Sequence, residues 1–279
     1  MSRTETQRFA FVGLLGSELG VLYRRRRTWA LLIALAAIPI LLAVAVKLTS
    51  GPSTGRGPSF LDQISQNGLF TGFAAITVAI PLFLPLTIGV VAGDTIAGEA
   101  AAGTLRYLLV APVGRVRLLL VKFVSSVIFA FSGALAVMVT GALIGLALFP
   151  IGPVTLLSGD SITVGESFVR ALLIALYVTL SLVGLCAVGL FISTITDVPV
   201  GAMAATVVVS IAAQIVGALP QLEWLHPWLL TQYWLSFADL LRQPLYWDSF
   251  AANALLQLGY VAVFGALAYG RFTTRDVLA

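Results

Sequence analysis

The residues able to do chemistry are gathered in one stretch, GDTIAGEAAAGTLRYLLVAPVGRVRLLLVK, from Gly93 to Lys122. It holds Asp94, Glu99, Arg106, Arg115, Arg117 and Lys122 in a chain of which only 10% is charged. Carboxylates and guanidinium groups set out in this way offer ion pairing and polar docking. They do not offer covalent catalysis, because no nucleophile with a histidine and no paired carboxylates accompany them. Cys186 is the single cysteine and His226 the single histidine, which excludes disulfide frameworks, CxxC redox pairs, Cys/His zinc sites and the HExxH helix within one chain. A phosphate-binding loop needs GxxxxGK[ST], and the only lysines, Lys47 and Lys122, each follow a valine. No residue of this chain is therefore expected to be catalytic or to ligate a metal, and any nucleotide site must reside on a separate chain.

The elements that must position these charges are apolar. Of the 279 residues 59% are hydrophobic, and mean hydropathy is +1.02; this is the composition of an integral membrane protein. Six stretches are long enough to cross a hydrocarbon core of roughly 30 Å: 29–46, 69–92, 118–149, 169–193, 199–219 and 251–270. They form a single transmembrane domain over 1–279. The third carries Lys122 near its start, so its first turns are expected to project into water. The apolar run after Arg27 is too long for the h-region of a signal peptide, and the first span is expected to be retained. With both termini cytoplasmic, 12 of the 16 basic residues fall inside, leaving Lys47, Arg56, Arg170 and Arg242 outside. The formal charge of +4 is thus read as topology in a multi-pass protein of the inner (plasma) membrane, with no nucleic-acid partner.

Two flanking segments have mixed character. In 1–28, Phe11, Val12, Leu15, Leu19 and Leu22 cluster on one side at 100° per residue, with Glu18 bordering them and Arg24 to Arg27 following. This fits a cytoplasmic helix lying on the membrane surface against anionic lipid headgroups, and equally a plain topogenic basic cluster. The segment 220–250, broken by Pro220, Pro227 and Pro244, is expected to form outer re-entrant or interfacial helices, with Trp224, Trp228, Trp234 and Trp247 at headgroup level. Asp94, Glu99, Arg106, Arg115 and Arg117 together would cost roughly 12 to 17 kcal/mol at the bilayer centre, so 94–117 is placed outside it. There Glu99 to Val110 reads as a short helix with Leu105, Leu108 and Leu109 on one stripe, ended by Pro112 and Gly114. Its charges either solvate a connection or meet a partner beneath the membrane.

The ordered set Asp94, Gly98-Glu99, Gly103-Thr104-Leu105-Arg106, Leu108-Leu109, Pro112-Val113, Arg115 and Lys122, between the second and third of six spans, resembles the signature loop of ABC-2 type transporter permeases. The resemblance implies an all-α membrane protein with six transmembrane helices and an N-terminal cytoplasmic interfacial helix, in an ABC-2 (type V exporter-like) architecture. It implies two copies of an ABC ATP-binding subunit carrying ATP and Mg, and a second permease copy or a related permease. It makes 94–117 a coupling-helix loop: Glu99 touches the ATPase, Gly103 and Thr104 shape the close approach, Arg106 is a second polar contact, and Glu18 in the N-terminal helix braces the same subunit.

The resemblance places spans two and five at a dimer centre, which makes Phe73, Thr77 and Gln214 candidates for the substrate path. Pro81 and Pro85 are read as a kink or hinge in span two. Gln214, Asn253 and Gln257 should face protein or a cavity, and interhelical hydrogen bonding explains them as well as cargo does. The spans lack charges apart from Lys47, Lys122 and Arg170 near their ends, which points to lipophilic or amphipathic cargo such as a drug or lipid. The rival classes are a secondary transporter, which would show an acid or histidine near the midplane, and a non-transporting structural or sensor subunit.

Overall fold

Chain segments in hydrocarbon must close their backbone hydrogen bonds internally, and this chain does so with helices. A computed structural model describes residues 3–49, 59–104, 114–150, 152–156 and 158–274. Its helices are α1 (Arg3–Arg24), α2 (Arg26–Thr49), α3 (Ser59–Gln66), α4 (Phe70–Val78), α5 (Leu84–Ala101), α6 (Arg115–Leu148), α7 (Val164–Ile195), α8 (Pro199–Gly217) and α9 (Asp248–Thr273). A π-helical turn, Ala79–Phe83, joins α4 to α5, so the second span is one helical run. Among the described residues six helices have the length and hydropathy of membrane spans: α2, α5, α6, α7, α8 and α9.

Helix α7 is the centre of the bundle. Of its most apolar window 67% is buried, against 17% for α8 and 11% for α9, whose outward faces are left to lipid or to another chain. It packs on α5, α6 and α9; α5 also holds α8, and α6 holds α2 and α4. Without a hydrophobic drive between helices in lipid, close backbone approach must do the packing. Gly68 and Gly72 face Gly141 and Gly145 of α6: a Cβ on Gly141 would lie 2.5 Å from Gly72 Cα, and one on Gly145 would collide with the Gly68 carbonyl. The α5–α8 contact is as tight, since a Cβ on Gly93 would lie 2.7 Å from the Met203 backbone nitrogen.

The two prolines of span two widen the helix instead of breaking it. Pro85 has no N–H for the Pro81 carbonyl four residues earlier, and Gln214 Nε2 of α8 donates to that oxygen at 2.5 Å.

The end of the bundle opposite the Gly103–Gly114 connection carries an antiparallel pair, β1 (Val154–Thr155) with β2 (Ser161–Ile162). Asn67 Nδ2 donates to the carbonyls of Gly152 and Pro153 at 2.7 and 2.9 Å, and Thr163 with Glu166 forms a capping box that starts α7. Residues 220–250 form 3-10 turns at Pro220–Trp228 and Ser236–Leu241. The expectation for their tryptophans needs one correction. Trp224, Trp228 and Trp247 are exposed, but Trp234 is 2% exposed and its Nε1 donates to the Ser181 carbonyl at 2.9 Å. Beneath it Asn253 Nδ2 reaches Ser181 Oγ at 2.7 Å, and Gln257 accepts from Gly184 N at 3.1 Å while donating to the Leu230 carbonyl. These two amides are fully buried interhelical ties, which satisfies them without a cavity.

Two boundaries differ from the hydropathy reading. The second span continues as helix to Ala101 instead of stopping at Ala92, so Asp94 and Glu99 belong to a helix and not to a loop. The third begins at Arg115, and Lys122 is 2% exposed, so its first turns do not stand clear in water. The reason for both is the charged cluster described next.

Candidate functional site

A buried charged residue on an apolar helix needs an opposite charge or a backbone carbonyl to meet it. At the loop end of the bundle Lys122, Glu99 and Asp94 are each met by an opposite charge from another segment. Lys122 Nζ of α6 donates to Glu18 Oε1 of α1 at 2.8 Å and to Glu99 Oε1 of α5 at 3.2 Å. Asp94 of α5 pairs through Oδ2 with Arg25 at 3.0 Å and with Arg27 in a short contact. Gly98 leaves room for that carboxylate, since a Cβ there would lie 2.6 Å from Asp94 Oδ1. Three carboxylates thus face three cations across α1, α2, α5 and α6. The crevice left between them is about 20 Å³, room for a single water.

Helix α1 is set by the same requirement. Its packed positions are Phe11, Leu14, Leu15, Glu18, Leu19 and Leu22, spaced three and four apart, and Glu18 sits among them. Val12 is 67% exposed and belongs to the outer face, contrary to the sequence reading, because Lys122 draws Glu18 inward. The end of α1 is closed by the next helix: Thr28 Oγ1 donates to the Leu22 carbonyl at 2.6 Å and Trp29 Nε1 to the Tyr23 carbonyl at 2.8 Å. These bonds satisfy carbonyls that a helix C-terminus leaves open.

The stop of α5 is written in Gly103. Its φ of +69° is left-handed, open to glycine at little cost. Gly103 N donates to the Ala100 carbonyl and Thr104 N to the Glu99 carbonyl, both at 3.0 Å, the paired bonds of a Schellman motif. The helix expected over Glu99 to Val110 is therefore interrupted: Glu99 lies in the last turn of α5, and the chain turns at Gly103. Thr104 Oγ1 also bonds Glu99 Oε2 in a short contact. Both oxygens of Glu99 are thus engaged, one with the first residue of the connection and one with Lys122. On the far side of the connection, Arg115 Nη1 donates to the Phe272 and Thr273 carbonyls at 3.2 and 2.6 Å, closing the end of α9.

Of the residues singled out for docking, the structure joins Glu18, Glu99 and Thr104 into one bonded chain through Lys122 and sets Gly103 at its turn. Arg106 and the stripe Leu105, Leu108 and Leu109 lie outside the described residues. The candidates for a substrate path do not share one surface. Phe73 is 3% exposed and packs edge-on against Phe70 at 6.0 Å. Thr77 is exposed and donates to the Phe73 carbonyl, while Gln214 is half-buried on Pro81. Sequence reasoning missed Lys122 as the centre of the cluster and Asp94 as the partner of Arg25 and Arg27. A signal existed: a lone lysine in LLLVKFVSS must find an acid, and few acids lie at that end.

What this site can do is mechanical and electrostatic. It binds the first residue of a connection to three helices and sets its charges against opposite ones. A search of curated proteins finds no match to this chain. Over residues 13–277 the sequence matches the profile of the ABC-2 family transporter protein, nearly the full length of the six-span bundle, and the chain belongs to that family as a multi-pass membrane permease.

Proposed function

We propose that this chain is the membrane subunit of an ABC exporter, and that the segment between Gly103 and Gly114 docks on a separate ATPase. The observation that carries the proposal is the bonded series Thr104, Glu99, Lys122, Glu18, which runs from the edge of that segment into α5, α6 and α1. In this reading two ATP-binding subunits hold ATP and Mg and close on nucleotide. Their closure moves the docked segments, and the cluster passes the movement to spans two and three and to α1. Gly103, Thr104 and Arg106 face the ATPase, and Glu99 acts at the seam, anchoring Thr104 to the bundle. Glu18 ties α1, lying along the cytoplasmic membrane surface, to the same seam. The permease pairs with a second copy or a related chain through the exposed sides of α5 and α8, with both termini in the cytoplasm of a cell bounded by the plasma membrane. Cargo is lipophilic or amphipathic, a drug or lipid, consistent with spans whose charged residues lie toward their ends and leave the middle apolar.

Co-purification tests this. The tagged chain is drawn from its native membrane in mild detergent, and its companions are identified by mass spectrometry. A P-loop ATPase whose hydrolysis rises with added cargo supports the reading. A folded chain that brings no ATPase and moves solute on a proton gradient would transfer it to the secondary transporters, and one that moves nothing would make it a structural subunit. Glu99→Gln is a cleaner probe of the seam than Glu99→Arg. Reversal sets a second cation against Lys122, an interaction of about 4 kcal/mol at 4 Å with an effective dielectric of 20, and folding and docking would fail together.

A further inference from the structure

Helices α6 and α9 each pack on α7 but meet one another in few places, and a groove of about 250 Å³ runs between them near the Arg115 end of α6. Its floor is Leu119, Ala187, Leu190 and Ala268, each no more than 6% exposed. Its rims are Val116 and Leu120 on α6 and Tyr269 on α9, each 48–50% exposed. The groove is thus closed beneath and open sideways, which in a membrane means open to hydrocarbon. The Tyr269 hydroxyl is the one polar side-chain group among its walls. At 1.5 Å per residue the α6 wall, Val116 to Phe123, runs about 10 Å and the α9 wall, Val261 to Tyr269, about 12 Å. Gly265 keeps the slot open, since a Cβ there would find nothing within 4 Å.

One end of this apolar slot is basic. Arg115 and Arg117 flank the rim residue Val116, and Arg271 lies two residues beyond the rim residue Tyr269. The acids of the neighbouring cluster are committed to other cations, Glu18 and Glu99 to Lys122 and Asp94 to Arg25 and Arg27. Among the described residues none of the three arginines has a carboxylate partner. Arg115 donates through Nη1 to the Phe272 and Thr273 carbonyls, which holds its guanidinium across the gap between α6 and α9. A guanidinium has five N–H donors in a fork that matches phosphate oxygens. We propose that the groove holds an acyl chain of an anionic phospholipid whose headgroup is held at the basic end by Arg115, Arg117 and Arg271. Basic pockets between membrane helices take anionic headgroups in this way, and in the proposed topology this is the cytoplasmic leaflet, the anionic one. A zwitterionic headgroup brings its own cation to the arginines and gains less. None of the groove's walls comes from α5 or α8, the helices offered to a second permease, so pairing leaves it open.

The site does not depend on the exporter reading, so binding is read without nucleotide or ATPase. The full chain in phosphatidylcholine nanodiscs is photolabelled with phosphatidylglycerol carrying a diazirine in one acyl chain, and the labelled peptides are sequenced by mass spectrometry. Expected is saturable labelling within 116–123 or 261–269, suppressed by unlabelled phosphatidylglycerol and not by phosphatidylethanolamine of the same chains. Gly265→Phe fills the slot and abolishes that labelling, with thermal stability reporting that the protein is folded. Gly259→Phe, on an exposed position of α9 outside the groove, leaves it unchanged. Arg117→Gln with Arg271→Gln spares the Arg115 bonds to α9 and weakens phosphatidylglycerol by about twentyfold, taking about fivefold for each basic residue at the membrane surface. Equal suppression by phosphatidylethanolamine, or undiminished affinity in the double arginine variant, overturns the selection for an anionic headgroup. Undiminished labelling in folded Gly265→Phe places the chain outside the groove. Equal loss in Gly259→Phe shows that the label reports bulk lipid along α9, which overturns the site.

Discussion

Replacing Lys122 with methionine keeps the length and apolar stem of the side chain and deletes the one cation between Glu18 and Glu99. Lys122 is 2% exposed, while the two carboxylates are 23% and 18% exposed. Breaking a buried pair by removing one partner costs roughly 3–5 kcal/mol. Here the stranded acids retain some access to water, so the cost falls at the lower end, about 3 kcal/mol, or more than a hundredfold in the folding equilibrium. Glu99→Gln leaves Lys122 bonded to Glu18 and costs less, about 1.5 kcal/mol, the lower value for a hydrogen bond to a charged group. The triple variant Glu18→Gln, Lys122→Met, Glu99→Gln removes every charge of the triad together. Exchange of a whole buried ion cluster for neutral groups is often close to neutral, so the triple variant recovers most of what Lys122→Met loses. The assay is thermal unfolding in nanodiscs followed by tryptophan fluorescence, with ATPase stimulation measured on the same preparations. The reasoning is refuted if Lys122→Met lies within about 0.5 kcal/mol of wild type, the range of an inert surface change, or if the triple variant is no more stable than the single. A triple variant that folds yet fails to stimulate the ATPase separates the triad's part in coupling from its part in folding.

Gly145→Leu drives a side chain into the Gly68 carbonyl and should unseat α4 from α6; limited proteolysis and loss of monodisperse protein report it, whereas Gly265→Leu, with nothing within 4 Å of the new Cβ, is tolerated. Pro85→Ala restores an N–H to the Pro81 carbonyl and should make Gln214→Leu silent for stability, while in the parent chain that change costs about 1 kcal/mol; a double-mutant cycle measures the coupling. Arg115→Ala uncaps α9, and hydrogen exchange at Phe272 and Thr273 should accelerate, since their carbonyls lose the guanidinium that holds the last turn. Gly103→Val strains a left-handed residue by roughly 1–3 kcal/mol, and the resulting shift of Thr104 away from Glu99 is read as weaker ATPase co-purification.

The spans were legible because hydropathy over twenty residues leaves no alternative to a crossing helix. Their ends were not, because they depend on partners remote in sequence. Asp94 and Glu99 stopped the apolar run in the reading of span two, yet the helix passes through both. Arg25 and Arg27 meet the first from 69 and 67 residues away, and Lys122 meets the second from 23. Local periodicity also misplaced one position of α1: Val12 was counted with Leu15 and Leu19, although the inward face was decided by Glu18. Pro81 and Pro85 announced an irregularity four residues apart, but not that it would take the form of a π turn completed by Gln214. Gly103 was found by its motif, and its physical reason, the left-handed stop of α5, became visible only with the backbone.

The glycine seam between Gly68–Gly72 and Gly141–Gly145 also fixes where α6 can pivot. At 1.5 Å per residue the 34-residue helix is about 51 Å long. The seam lies about 42 Å from Arg115 and about 8 Å from Leu148, by the same rise. Backbone in contact with backbone cannot slide without collision, so any tilt of α6 is expected to turn about that point, with one long arm and one short. A sweep of 3 Å at the Arg115 end then becomes about 0.6 Å at Leu148, by the ratio of arms measured along the rise. Travel from such a tilt would be concentrated at the end that carries Lys122 and Arg115 and would leave the β1–β2 end almost still.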